Sequence, residues 1–413
     1  MPTRRSLLRG GAGLAALATA TAAVNRAGAA ERHGHAERGH GHEPAAAAPE
    51  PVGSPATTPL GPVNTVARWA YIIDFTTGAT LLEKDADVEM PPSSMTKLMT
   101  AYIVYSELKA GRLRLDQELP VSEQAWRMGG SKMFVPMGGS VKVEDLIRGM
   151  IVQSGNDACI VLAEGIAGSE QQFVARMNAE AKKLGLTHSH FMNCTGWPDA
   201  NHYMSCRDIA TLAAAIIRNF PQYYHYDSEK SFTYDNIKQW NRNPLVQKGL
   251  ADGLKTGHTD AGGFGLCASA QRGNRRIIEV LNGMDSMHER ASESERLLEW
   301  SFANFEDVTL FTAADTVDNA RVWLGERPTV PLVSGRDIIL TMPRNWRSTA
   351  HIAVDYQAPI AAPVSRGQVL GKLVVSGQGV PAMDVPLLAG ADVPRMSLPG
   401  RALAVLSHYV TGG

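Results

Sequence analysis

The spacing of apolar positions changes several times along this chain. From Ala67 to Asp74 aliphatic and aromatic residues run almost unbroken, Thr76-Thr77-Gly78 supplies turn chemistry, and Ala79–Glu83 is apolar again. That pattern predicts two paired strands. From Ser94 to about Phe220 apolar residues recur at three- and four-residue intervals, broken by Gly and Pro, which predicts a run of helices. Strand character returns at Gly263–Ala270 and Arg275–Asn282, and Glu289 to about Asn304 predicts a closing helix. Strands, then helices, then strands fit a helical subdomain inserted into an α/β sandwich.

After Glu306 the texture changes. Arg321–Leu324, Ile338–Met342, Ala350–Tyr356, Gly371–Ser376 and Ala382–Leu387 are short β-prone runs separated by Pro and Gly. They predict a small all-β domain of roughly 90 residues. The expected organisation is an export signal over 1–29, a linker over 30–60, an α/β domain over 61–305, a β-sandwich over 306–397 and a short tail over 398–413.

Composition narrows the class. The chain has 413 residues, is 44% hydrophobic and 20% charged, and carries a net charge of −1. A packed core is affordable at this length, and nothing electrostatic points to nucleic acid. No interior run reaches the roughly 20 apolar residues that span a bilayer. At the N-terminus Arg4-Arg5, the Ala/Gly-rich stretch Gly10–Val24 and Ala27-Gly28-Ala29 form an export signal with a small-residue cleavage site. Thr3–Leu8 resembles a twin-arginine signal; an ordinary secretory signal with two arginines is the alternative. Residues 30–60, with His33, His35, His40, His42 and a Pro-rich end, read as a solvated linker that cannot bury enough apolar surface to fold. The four cysteines, Cys159, Cys194, Cys206 and Cys267, fit no zinc spacing. Cys194 and Cys206 flank one short loop and could pair after export; buried free thiols are the other reading.

The candidate chemistry lies in three segments. Pro91-Pro92 stops any earlier helix, Ser93 or Ser94 caps a new one, and Gly111 ends it. Leu98, Ala101, Tyr102, Tyr105 and Leu108 give that helix one buried face. Ser94 then sits at the helix N-terminus with Lys97 one turn later on the same side. The Ser94 N–H and the helix dipole favour an oxyanion, and a Lys97 amine of lowered pKa can serve as base for the Ser94 hydroxyl. Ser154-Gly155-Asn156 reads as an exposed turn between helices, with Ser154 as proton shuttle and Asn156 binding substrate and holding Lys97. Lys255-Thr256-Gly257-His258 precedes a glycine-rich strand. Lys255 and Thr256 offer a cation and a hydroxyl to a substrate carboxylate, Gly257 clears the way for substrate, and the His258 N–H is a second oxyanion donor. Met128, Met133, Phe134 and Met137 are expected in core or cleft packing. No residue cluster calls for a metal, and no phosphate loop calls for a nucleotide cofactor.

Together, Pro92–Lys97, Gln153–Ala158 and Asp252–Thr259 resemble the low-molecular-mass penicillin-binding proteins, specifically serine D-Ala-D-Ala carboxypeptidases of the penicillin-binding protein 5 type. Asn193–Trp197 and Asp199–Tyr203 look like that family's loop beside the cleft. The likeness spans roughly residues 65–395. It implies a β-lactamase/transpeptidase-like catalytic domain followed by a small all-β sandwich domain. It also implies acylation of Ser94 by the penultimate D-Ala of peptidoglycan pentapeptide stems, release of terminal D-Ala and hydrolysis by water. β-Lactam antibiotics would be covalent inhibitors, no cofactor would be needed, and the protein would be exported to the bacterial envelope. A class A β-lactamase would need a deacylating Glu after the second segment, and residues 185–205 contain none. A transpeptidase or endopeptidase with the same nucleophile, and a non-catalytic envelope binding protein, are the remaining alternatives. Family members often end in a membrane-anchoring amphipathic helix. Here Arg401–Val410, with Leu403, Leu406 and Val410 on one face and a single basic residue, predicts only weak peripheral membrane association.

Overall fold

The structure is a computed structural model that describes residues 3–6, 53–313, 315–377 and 379–411. The expected export signal lies outside the described residues except for Thr3–Ser6, and the expected linker lies outside them up to residue 52.

The chain opens with β1 (Trp69–Asp74) and β2 (Thr80–Lys84), passes through the helices, and returns with β3 (Gly253–Thr259), β4 (Gly263–Arg272) and β5 (Arg275–Met284). These five form one antiparallel sheet in the order β2-β1-β5-β4-β3. The functional strand β3 is therefore an edge. Side chains alternate across the sheet as a two-residue period requires. Tyr71, Ile73, Cys267, Ile278 and Val280 point into the core shared with the helices. Ala70, Ile72, Leu266, Ala268, Ile277 and Leu281 pack on the other side against Leu297, Leu298 and Phe302. Full burial of each such aliphatic side chain contributes about 1.5–3 kcal/mol.

The longer helices between the strands are α1 (Lys97–Lys109), α2 (Val143–Ile151), α3 (Asn156–Ala167), α4 (Glu170–Leu184) and α5 (Cys206–Asn219); α6 (Met287–Asn304) closes the domain. Side-chain caps start several of them. The Ser169, Ser205 and Ser286 hydroxyls accept from the N–H groups of Gln172, Asp208 and Glu289. One expectation changes: α1 is buried on nearly every side rather than along one face. It runs through the middle of the domain, touching α2, α3, α4 and α5, so only its C-terminal turn, at Ser106, Glu107 and Lys109, meets water. Nor are residues 94–220 continuously helical. The segment 186–205 is an irregular loop, pinned by paired backbone hydrogen bonds between Met90 and Met204 and between His190 and Tyr203. Phe134 and Met137 are exposed rather than packed, whereas Met133 is buried. All four cysteines are buried free thiols.

Phe305 begins the second layer of structure. Strands β6 (Phe305–Phe311), β7 (Asp318–Trp323), β8 (Thr329–Val333), β9 (Ile338–Pro343), β10 (Ala350–Tyr356), β11 (Ile360–Ala361), β12 (Val369–Gly377) and β13 (Val380–Ala389) enclose their own core, which includes Leu332, Met342, Val354, Leu373, Val375 and Leu387. One sheet runs Thr3–Ser6, β10, β12, β13, β8, β7, β11; β6 and β9 pair separately. Helix α7 (Leu398–Thr411) starts a turn earlier than expected, because Pro399 in a first helical turn loses no hydrogen bond. Its Leu403, Leu406, Tyr409 and Val410 are exposed, and His408 lies edge-on to Trp323. No described helix is long and apolar enough to cross a membrane.

The two cores meet around Arg275. Its Nε donates to Asp74 Oδ2 at 2.9 Å, its Nη1 to the Phe305 carbonyl at 2.8 Å, and Asp307 Oδ1 lies 3.6 Å away. Thr341 donates to Asp307 at 2.9 Å and shares a 2.6 Å hydrogen bond with Thr77. Burial, then the adjacent Asp74 charge, raises the Asp307 carboxyl to about 6. A carboxyl raised in the folded state stabilises the fold below its unfolded value near 4, and that contribution is lost as pH rises through about 6. Replacing Asp307 with Asn removes this dependence. Between pH 4.5 and 7.5 the wild type should therefore lose on the order of 1 kcal/mol relative to Asp307→Asn, read as a narrowing Tm gap in thermal melts. Parallel Tm-versus-pH curves would show that Asp307 does not titrate at the junction.

Candidate active site

The first segment does not begin as an α-helix. Ser93–Thr96 form a 3₁₀ turn, and α1 starts at Lys97. Ser94 thus lies in the turn before the helix, because Ser93 holds a left-handed φ of 50° that the helix cannot continue. Lys97 is 1% exposed, and its Nζ meets three oxygens: Ser94 Oγ at 2.8 Å, Asn156 Oδ1 at 2.7 Å and the Thr195 carbonyl at 2.6 Å. An ammonium can donate to all three. A neutral amine can donate to Asn156 and Thr195 only, which leaves its lone pair facing the Ser94 hydroxyl. Asn156 cannot flip out of this role, since its Nδ2 donates to the Gly129 carbonyl at 2.9 Å. Burial lowers the Lys97 pKa, the Arg242 charge pushes the same way, and Asp157 opposes them.

The second segment joins α2 to α3, but it is buried rather than exposed: Ser154 and Asn156 are 3% and 6% accessible. The loop after Met128 covers it. The Asn156 N–H donates to the Ser131 carbonyl, and the Asp157 carboxylate accepts from the N–H groups of Met133, Phe134 and Val135 at 2.9–3.2 Å. Ser154 has a left-handed φ of 65°, an uncommon conformation for a non-glycine residue.

The third segment is β3. Lys255 and Thr256 are buried, and the Lys255 Nζ donates to the Thr256 carbonyl at 3.1 Å. Burial pushes the Lys255 pKa well down, reinforced by the Lys97, Arg242 and Arg290 charges. Arg290 is itself buried, its pKa is lowered to about 10 by burial, and its Nε has no hydrogen-bond partner. These cations together make a site for an anion. The space that a Cβ on Gly257 would fill is taken by the Ser93–Ser94 turn, 2.9 Å from Pro92 O and 3.3 Å from Ser94 N. Close approach of β3 to that turn is what requires glycine there. His258 is exposed and its ring stacks on Phe264 with centroids 3.9 Å apart.

Direct hydrogen bonds therefore join Ser94, Lys97 and Asn156, and β3 lies against Ser94. Two further participants lie in the loop that the resemblance put beside the cleft, where no role was expected of either. Thr195 contributes only a backbone carbonyl, presented by a turn in which Asn193 Oδ1 accepts from the N–H groups of Thr195, Gly196 and Trp197 at 2.8–3.2 Å. His202 accepts from the Met192 N–H at Nδ1, so its Nε2–H donates to Thr96 Oγ1 at 2.8 Å. Burial holds this imidazole neutral, with a pKa of about 4. Among the described residues no carboxylate hydrogen-bonds Ser94 or Lys97, and no group of three His, Cys, Asp or Glu side chains could hold a metal.

A serine and a buried lysine amine, with a cationic pocket on an edge strand, define a serine peptidase of the penicillin-binding class. Residues 56–286 match the peptidase S11 family, D-alanyl-D-alanine carboxypeptidase, and residues 305–395 match the penicillin-binding protein 5 C-terminal domain. The D-alanyl-D-alanine carboxypeptidase DacC of Escherichia coli is 38% identical over 344 residues, 81% of this chain and 86% of the relative. DacA of Haemophilus influenzae is 37% identical over 347 residues, 82% of this chain and 88% of the relative. The crystal structure of penicillin-binding protein 5 from Haemophilus influenzae superposes with a TM-score of 0.71 at 37% identity, covering 81% of this chain and 99% of that one. Penicillin-binding protein D2 from Listeria monocytogenes in its ampicillin-bound form gives 0.54 at 28% identity over 58% of this chain and 98% of that one. The chain belongs to the D-alanyl-D-alanine carboxypeptidase family of serine peptidases.

Gly196 tests the architecture. Its φ is +82°, and a Cβ would fall 1.8 Å from the Ser93 carbonyl oxygen. Gly196→Ala must push the Thr195 carbonyl and the Ser94 turn apart. It should lower Tm by an amount corresponding to at least about 1–2 kcal/mol. Benzylpenicillin acylation should slow at least about tenfold, the cost of a ~1.4 kcal/mol misalignment. Unchanged acylation in a folded variant would mean that this contact does not hold the site.

Proposed function

We propose that Ser94 is the nucleophile, Lys97 its general base and Ser154 the proton shuttle of a D-Ala-D-Ala carboxypeptidase acting on peptidoglycan pentapeptide stems. The observation that carries this reading is the Lys97 amine, buried and 2.8 Å from Ser94 Oγ, with its other two hydrogen-bonding positions taken by Asn156 and Thr195.

The Ser94 oxygen attacks the penultimate D-Ala carbonyl as Lys97 takes its proton. The N–H groups of Ser94 and His258 stabilise the oxyanion. The proton passes through Ser154 to the departing nitrogen, the C–N bond breaks, and terminal D-Ala leaves as the free amino acid. Water then adds to the acyl-enzyme ester, losing a proton to Lys97; the bond between Ser94 Oγ and the acyl carbon breaks, Lys97 returns the proton to Ser94, and the shortened stem is released. Lys255 and Thr256 hold the terminal carboxylate, with Arg242 and Arg290 adding positive charge. Asn156 holds Lys97 and binds the peptide backbone. A β-lactam enters the same acylation step and stays as an ester. The absence of Glu from residues 185–205 supports a slow deacylation rather than a β-lactamase turnover. We place the protein in the bacterial envelope after export, with catalytic and β-sandwich units over 61–305 and 306–397. The exposed Leu403, Leu406 and Val410 of α7 support weak peripheral contact with a membrane.

Incubation with labelled benzylpenicillin followed by mass spectrometry should find one adduct on Ser94, and Ser94→Ala should lose both the adduct and D-Ala release. An adduct elsewhere, or D-Ala release by Ser94→Ala, would overturn the assignment. Lys255→Ala should reduce acylation by carboxylate-bearing substrates roughly 10- to 100-fold, the worth of a charge-assisted hydrogen bond. An unchanged rate would remove Lys255 from the site.

A further inference from the structure

The sheet of the second core has an open flank. Strand β10 (Ala350–Tyr356) pairs along its whole length with β12, without a register shift. On its other side it meets, among the described residues, only Thr3–Ser6, antiparallel, with Thr3 opposite Tyr356 and Ser6 opposite Ala353. Those four residues belong to the expected export signal, which a mature exported chain loses. Among the described residues no buried core includes one before Ala56, so the folded units do not depend on them. Loss of residues 1–29 leaves β10 as a bare seven-residue edge, whereas the strand at the opposite edge, β11, has two residues. Natural edges are blunted by Pro, Lys, bulges or short length. The β10 sequence, Ala-His-Ile-Ala-Val-Asp-Tyr, has none of these.

The two faces of β10 limit what can pair with it. Ile352 and Val354 are buried in the β-domain core and Ala350 and Tyr356 pack against it, so His351, Ala353 and Asp355 lie on the outer face. A strand added to this edge must keep apolar residues on the core face. For a second copy of β10 running antiparallel about a two-fold axis, the register that pairs all seven residues is centred on Ala353. It sets Ala350 opposite Tyr356, Ile352 opposite Val354 and His351 opposite Asp355 of the second copy, each pair occurring twice. Apolar meets apolar on the core face. On the outer face an imidazole meets a carboxylate, with Cβ atoms about 5 Å apart. Lys372 stands opposite Asp355 on β12, so that row alternates basic and acidic groups. In the pairing with Thr3–Ser6 the residue opposite Asp355 is also basic, Arg4.

We infer that β10 is a dimerisation edge: once residues 1–29 are gone, two copies of the chain pair antiparallel through Ala350–Tyr356 and join their β domains into one continuous sheet. The inference rests on the export reading proposed above, and Thr3–Ser6 hold the same edge before the signal is removed. Backbone N–H and C=O groups along the edge supply the attraction, and the His351–Asp355 pairs select the register. Water satisfies the same backbone groups in the monomer, so the contact is reversible.

Sedimentation velocity over a concentration series tests this on the full chain and on the chain beginning at Ala30. The Ala30 chain should show a monomer–dimer equilibrium, and the full chain should dimerise more weakly because Thr3–Ser6 compete for the edge. Ala353→Lys, which sets two like charges opposite each other on the axis, should raise the dimer Kd at least about tenfold. His351→Asp sets carboxylates opposite each other twice and should raise Kd roughly 2- to 30-fold. Adding Asp355→His restores each pair with its members exchanged and should bring Kd back toward the wild-type value. Benzylpenicillin acylation of Ser94 should be unchanged in every variant, which shows that each is folded. An Ala30 chain that stays monomeric at every concentration, or a dimer that Ala353→Lys leaves intact, overturns the inference. A double variant that dimerises no better than His351→Asp alone overturns the register. The N-terminus of the protein recovered from cells, read by mass spectrometry, tests signal removal separately: retention of residues 1–29 overturns the export reading, while the Ala30 chain still decides whether the edge pairs.

Discussion

The site depends on holding a lysine amine inside the protein without obliging it to keep its proton. A buried ammonium is costly unless every donor is satisfied and a counter-charge is near. Around Lys97 the acceptors are a hydroxyl, an amide oxygen and a backbone carbonyl, none of them charged. They satisfy the group in either protonation state without the strong preference for the cation that a carboxylate would impose. Positive neighbours act in the same direction: Arg242 bears on Lys97, and Lys97 in turn bears on Lys255. A serine can therefore meet an unprotonated amine below the pH at which a solvated lysine would offer one.

Much of the surrounding fold maintains that arrangement. Residues 186–205 carry the Thr195 carbonyl, and they are anchored to Met90 on one side and to Thr96 through His202 on the other. Gly196 and Gly257 are bare because the Ser93–Ser94 turn occupies the space their side chains would need. Asp157 ties down the loop over Asn156, which fixes the amide's direction. Left-handed backbone at Ser93 and Ser154 is concentrated at the same place. Such conformations persist where the neighbouring contacts over-determine them.

The sequence made the chemistry legible because side-chain reactivity is local. Ser94, Lys97, Asn156 and Lys255 could be read from residue type and spacing, and the β1–β2 and β4–β5 pairings from apolar runs and turns. Other features left no such mark. Any residue has a carbonyl, so nothing in Thr195 announces its contact with Lys97. Arg242 and Arg290 are distant in sequence from one another and from Lys97. Helix α1 reads as one-faced because periodicity registers the contrast between its sides, and polar Thr100 and Lys97 are buried too. Strand β8 was hidden by Pro331, which cannot donate to a ladder, and Phe305–Phe311 was hidden by the acidic residues Glu306 and Asp307. Phe134 and Met137 look like core residues in composition, yet their side chains are exposed while the backbone N–H of Phe134 bonds inward to the buried Asp157.

The central claim concerns the protonation of Lys97, and the pH dependence of the acylation rate reads it most directly. With benzylpenicillin in excess, formation of the Ser94 adduct should rise with pH through a midpoint clearly below the ordinary lysine value of about 10.4. A midpoint at that ordinary value would show that burial and Arg242 do not free the amine, and would contradict the account.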